Sequence, residues 1–488
     1  MASLTEQRVL WVLPSIQITA AGKEADMELT RSFVPLLQEF ACVFTAPTHR
    51  TFIALMTGWC LSFRHRYVTE LIQSSGSTHQ GHHSRYHRFF SQAAWVPDEL
   101  CRILARLLVT TLARTGVIEL AVDDTLCRKR GLTIYGTGMH HDPLISSRAM
   151  KLVSWGHDWV VICLLLRCPF WSPTKVWALP LAFRLYRNRQ GLTKGKKKRK
   201  KDEKEKDTKA KKASRPPGYR TRPELAVELI RLVAAWFPDR QIMVSGDSAY
   251  GGKSVLRHVP ANVDLISHVH PKGGMYEPAP PRPPEQKGRG RKKGKRLSGM
   301  TEWAADATRW RKLVFDQFGL HASLKVKMRK ALYYKAGGTR LLTIVLVRDT
   351  LGKRPDQMFY CTNLDWDAQT ILSTYACRWA IEVTFENSKQ LLGFEDPANR
   401  APKAVERTAP MALVLYSLIV LWFHQHGHHQ VEYPDRPWYV TKQEPSFADQ
   451  LSTLRHRSWQ EQIRSVASKP SASKKLLAQL ARFVSRAG

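Results

Sequence analysis

Acid is scarce in this chain. Its 488 residues carry 41 Asp and Glu against 76 Lys and Arg, for a formal net charge of +35 and a pI near 10.1. Such a chain seeks a polyanion, nucleic acid first and an anionic membrane surface second. Cysteine is sparse and scattered: there are eight, none in a CxxC pair. This argues against structural zinc and for a reduced, cytoplasmic setting. No apolar run reaches the ~18 residues that a bilayer span needs. The longest, Met411 to Phe423, reads as a buried helix, and no membrane association is expected. The N-terminus has an apolar patch but no small-residue cleavage pattern behind it, so no signal peptide is read. "GTGMHH" at 136–141 lacks the rest of a dinucleotide fingerprint and reads as a turn after the first strand.

What is present is enough to fold. Hydrophobic residues make up 43% and charged residues 24%, and the length allows about two to four domains. Residues 1–116 are patterned as helices, as in "PDELCRILARLLVTTLART", with no strand-like alternation. Within them "HQGHHSRYHRFF" (His79 to Phe90) mixes histidines with Arg85, Arg88 and aromatics but has no acid or cysteine beside it to complete a metal set. At Val117 the texture changes to short apolar runs: "VIELAVDDT", "DWVVICLLLR", "WALPLAFRLY" and "RQIMVSGDSAY" read as strands. A lysine tract at 193–217 interrupts them and reads as a self-repelling, disordered loop. Residues 260–366 begin with a second basic, Pro-rich loop and continue as alternating strands, a β-rich insertion. Residues 117–425 are taken as one domain and 426–488 as a basic helical region.

Three acids stand out by context. Asp124 and Asp247 each end a predicted buried strand, where α/β sheets bind ligands. Glu382 lies in "YACRWAIEVTFENSKQLLGF" (375–394), predicted as one helix. At about 100° per residue, Tyr375, Arg378, Glu382, Glu386 and Lys389 fall in one narrow stripe. A solvated face with an Arg378–Glu382 pair would explain the stripe as well as a carboxylate set in a basic groove does. Three convergent carboxylates suit two Mg²⁺ ions, hard cations that take oxygen ligands. Two such ions promote phosphodiester displacement.

The spacing Tyr-x2-Arg-x3-Glu-x6-Lys resembles the YREK signature of bacterial insertion-sequence transposases, members of the DDE (retroviral-integrase-like) superfamily. "AVDDT" resembles their first-aspartate motif and "VSGDSAYGG" their second. The resemblance implies an α/β, RNase H-like core with a mixed sheet, a β-rich insertion before the glutamate and flanking helical regions. It implies Asp124, Asp247 and Glu382 as the catalytic, metal-binding triad. Neighbours on a strand face opposite sides, so only one of Asp123 and Asp124 can enter the site. The family places its aspartate directly before the threonine, which selects Asp124. Tyr375, Arg378 and Lys389 are implied as DNA contacts, with Trp303 as a candidate to stack on an extruded base. The implied activity is cut-and-paste DNA transposition with two Mg²⁺, for which Mn²⁺ would substitute. The implied partners are the transposon's terminal inverted repeats, target DNA and a second copy of the chain. A DDE-fold nuclease that cuts without joining, and a noncatalytic DNA-binding relative, share the fold.

Overall fold

The computed structural model describes residues 27–147, 149–188, 216–281, 290–317, 320–433 and 441–467. The lysine tract (except its last two residues), the first 26 residues and the last 21 lie outside them. Ten strands form one sheet: β1 (Ile118–Arg128), β2 (Gly138–His141), β3 (Val153–Arg167), β4 (Val176–Tyr186), β5 (Ile242–Gly246), β6 (Val263–His268), β7 (Arg311–Gln317), β8 (Leu320–Leu332), β9 (Leu341–Asp349) and β10 (Gln357–Cys361). The order is β2-β3-β1-β5-β6-β10-β9-β8-β7, with β4 also pairing β3. β1, β5 and β6 run parallel, and every other pair is antiparallel. An antiparallel β4-β3-β1 unit joined to parallel β5 and β6 is the RNase H-like arrangement. The insertion adds β7 to β10 to the same sheet through the β10–β6 pair.

Two expectations are corrected at this level. "GTGMHH" is not all turn: Gly136 takes a left-handed φ of 78°, but Gly138–His141 is the edge strand β2. The first strand does not stop at its acids but runs on to Arg128, so Asp123 and Asp124 lie inside the ladder.

Helices cover both faces. The Arg222–Trp236 helix is nucleated by a capping box between Thr221 and Glu224 with Pro223 in its first turn. It packs against β3 and β4. The apolar run forms the Met411–Gln425 helix, and Pro402–Gln425 is long and apolar enough to cross a bilayer. It is almost wholly buried inside the protein, where it packs on β4. Helices between Val34 and Leu112 share one hydrophobic core with the sheet, through side chains such as Trp59, Phe90, Trp159 and Trp422. All eight cysteines are free thiols.

Candidate active site

The register of the central parallel pair fixes which acids meet. β1 and β5 align Ile118 with Ile242 and Val122 with Gly246. One step further along, Asp123 stands level with Asp247, which follows Gly246 directly. Level residues on neighbouring strands point to the same face. Asp123 therefore shares its face with Asp247, and Asp124 points through the sheet.

The third acid comes from a pair of helices on that face. Ala368–Cys377, capped by Asp367 accepting from the Thr370 N–H at 2.8 Å, packs against β5 and β6. Ala380–Leu392 packs against β1 and β4. These replace the single helix expected. The joint is tightened by i→i+3 bonds: Arg378 N–H to Tyr375 O (3.1 Å), Trp379 N–H to Ala376 O (3.2 Å) and Glu382 N–H to Trp379 O (3.1 Å). Such steps advance about 120° rather than about 100° per residue, so the residues beyond them turn away from a uniform wheel. The second helix ends at Gly393, whose φ of 61° is left-handed. A Cβ at Gly393 would lie 2.3 Å from the Asp396 carboxylate.

Arg378 ties the acids together. Its Nη1 donates to Asp123 Oδ2 at 2.6 Å, and its Nη2 lies 3.8 Å from Glu382. Its side chain is only 12% exposed, which excludes the solvated-face reading. Burial pushes the Asp123 carboxyl up to about 7. Arg378 opposes the rise, and the charges of Asp247 and Asp124 add to it. Glu382 is also held above its ordinary value, by burial first and by Asp247, with Arg378 opposing.

Asp123, Asp247 and Glu382 form a carboxylate set with too little positive charge. Among the described residues no three acidic, His or Cys side chains close around one point. The donor chemistry nonetheless fits a hard dication: three carboxylates offer oxygen only, and their mutual repulsion is what a cation relieves.

Asp124 is the one expected acid that the structure does not bring to this set. It accepts from Tyr250 Oη at 2.5 Å, and Arg222 Nε lies 3.3 Å from its Oδ2. Behind it Arg222 also bonds Asp158, whose carboxyl is pushed up to about 7 by burial and by Asp124. The sequence pattern could not separate the two aspartates. Apolar residues flank β1 on both faces, and only the pairing of β1 with β5, whose first residues are 124 positions apart, distinguishes them.

The expected DNA contacts are engaged within the protein. Tyr375 packs edge-on against His268 and Phe359, with ring centroids 5.0 and 4.9 Å away. Lys389 Nζ donates to Leu126 O at 2.7 Å, which pins the second helix along β1. Trp303 is 9% exposed, lies under the Arg329 guanidinium at 3.8 Å and serves the core of the insertion. The aromatic displayed beside the acids is instead Trp379, 63% exposed, with Val383 exposed one turn on. His268 was also missed. It ends β6 against Tyr375, and burial together with the Arg378 charge lowers its pKa.

Two acids level on the central parallel pair of a β4-β3-β1-β5-β6 sheet, with a third on a helix across the same face, define the RNase H-like class of carboxylate-centred folds. The chain belongs to the DDE superfamily endonucleases: the family profile of that description matches residues 39–333, more than half of its length. Asp123 and Asp247 fall inside the match, and Glu382 lies beyond it. No curated protein matches the chain.

Proposed function

We propose that this protein is a cut-and-paste DNA transposase of the insertion-sequence type, with Asp123, Asp247 and Glu382 as its catalytic acids. The observation that carries the reading is the register that sets Asp123 level with Asp247 on the face where Arg378 meets Glu382. These three acids would hold Mg²⁺, or Mn²⁺ in its place. When bound, the ions would lower the pKa of the attacking hydroxyl and neutralise charge on the phosphate. Arg378 holds the Asp123 carboxylate in orientation and supplies a fixed positive charge where phosphate oxygens must lie. The +35 charge draws in the transposon ends and the target DNA. Trp379, exposed and three residues before Glu382, would meet a base near the cut, the part that the resemblance gives to Trp303. Two copies acting together on paired ends complete the reading.

The test is incubation of the purified protein with a supercoiled plasmid carrying the DNA that flanks its gene. Mg²⁺-dependent end cleavage followed by joined products is the expected result. Nicked or linear DNA without joined products would leave a nuclease. Shifted but uncut DNA would leave a binding protein.

Replacing Lys194 to Lys212 by a neutral Gly/Ser linker is expected to weaken nonspecific DNA binding and flatten its salt dependence, with the Tm unchanged. The measurement is the slope of log K against log[salt]. An unchanged slope would show that the tract does not touch DNA.

A further inference from the structure

The back of the sheet carries a polar cluster with no part in the chemistry above. Asp124 accepts from Tyr250 Oη, Arg222 bridges Asp124 and Asp158, and His140 Nδ1 lies 3.6 Å from Asp158. Tyr250 is fully buried. It closes the turn that begins at Asp247: the Tyr250 N–H donates to Asp247 O at 3.1 Å, and the Ala249 N–H donates to Asp247 Oδ1 at 2.8 Å. One short turn thus presents a carboxylate at the front of the sheet and a phenol at the back. β1 does the same with consecutive residues, Asp123 in front and Asp124 behind, and the Asp124 N–H donates to Asp123 Oδ1 at 2.9 Å.

We infer that the Asp124–Tyr250 hydrogen bond positions the site, clamping the Asp247 turn to β1 from behind and so setting the separation of Asp123 and Asp247. The inference rests on the assignment of those two acids made above. Two further bonds fix the turn to the neighbouring strands, and Tyr250 ties it to β1 beyond the last ladder pair, Val122 with Gly246. Ser267 Oγ donates to Asp247 O at 2.7 Å, and Tyr360 Oη donates to Gly251 O at 2.9 Å. Space is tight enough to transmit the clamp: a Cβ at Gly246 would lie 2.8 Å from Tyr250 Cβ. Arg222, which also bonds Asp158, holds the Asp124 carboxylate in place, in the way that partners behind a ligand orient the ligand.

The test uses the full-length protein, with Mn²⁺ as the probe and electron paramagnetic resonance of the free ion as the readout. Tyr250→Phe keeps the buried ring and removes only the hydroxyl. It is expected to weaken Mn²⁺ binding about tenfold, and raised Mg²⁺ should restore cleavage. Asp124→Asn still offers an oxygen to Tyr250 and is expected to be milder. The Asp124→Asn, Tyr250→Phe double variant should be no worse than Tyr250→Phe, because Tyr250→Phe already removes the bond through which Asp124 acts. Wild-type Mn²⁺ binding by Tyr250→Phe would overturn the clamp. So would an Asp124→Asn variant that loses Mn²⁺ binding and stays inactive at every Mg²⁺ concentration, since Asp124 would then be a ligand itself. Asp123→Asn that binds Mn²⁺ and cleaves normally would instead overturn the underlying assignment, whatever the clamp variants do.

Discussion

Asp123→Asn is expected to reduce end cleavage on the order of a thousandfold, about 4 kcal/mol of barrier, while DNA binding stays near the wild-type level because phosphate affinity comes from Lys and Arg. The same substitution should make the metal-free protein more stable at alkaline pH. The sign follows from the raised carboxyl. Asp123 titrates at about 7 in the folded chain, against roughly 3.9 when unfolded. Between these values the folded state holds a proton that the unfolded state has released. The group's contribution to stability is therefore greatest below about pH 4, falls as the pH rises, and is flat above about 7. Asparagine removes that decline. The Tm difference between variant and wild type should grow from pH 5 to pH 8, as read by thermal melts in chelator. A difference that does not change with pH would show that Asp123 is ionised throughout.

Arg378→Ala is expected to lower both activity and stability, which separates a buried clamp from a surface pair. Removing one partner of a buried ion pair costs about 3–5 kcal/mol when the other stays charged. Asp123 can escape by taking up a proton, and it does so more readily at low pH. The Tm loss should therefore be large at pH 8 and smaller at pH 5.5. Cleavage should fall about a hundredfold, and its acid limb should move to higher pH, because Arg378 opposes the rise of the Asp123 carboxyl. Arg378→Lys should recover part of the stability and little of the rate, since a point charge lacks the planar fork that spans Asp123 and Glu382. Tm and pH–rate profiles of both variants check this. A pH-independent Tm change with a normal rate would reduce Arg378 to a surface residue.

The sequence made the strands legible wherever an apolar run ended in a turn signal, as in β5, β9 and β10. It also made the helical flanks and the buried Met411–Gln425 helix legible. Asp247 and Glu382 stood out because each sits at a break in an apolar pattern, and Glu382 feels the charge of Asp247 across the sheet face. What stayed hidden depended on pairing between distant segments. Choosing between Asp123 and Asp124 needed the β1–β5 register. A uniform helical wheel could not show the tightened joint at Arg378 and Trp379, which sends Lys389 to Leu126. The burial of Trp303 follows from strand β8 bringing Arg329 over its ring, and nothing in the neighbouring residues announces it.

The helix that carries Glu382 is held at its far end by the opposite end of the chain. Trp59 Nε1 donates to Leu392 O and Arg66 Nη2 to Leu391 O, both at 2.9 Å or less. The acids themselves are spread from residue 123 to residue 382. Contacts of such sequence separation form late in folding, after the intervening loops have closed. On a ribosome, the front of the sheet could pair before its third acid had been made. A chain broken off before Leu392 would lack the helix end that the N-terminal segment grips. On the reading proposed above, the site is thus assembled only once synthesis has passed Leu392.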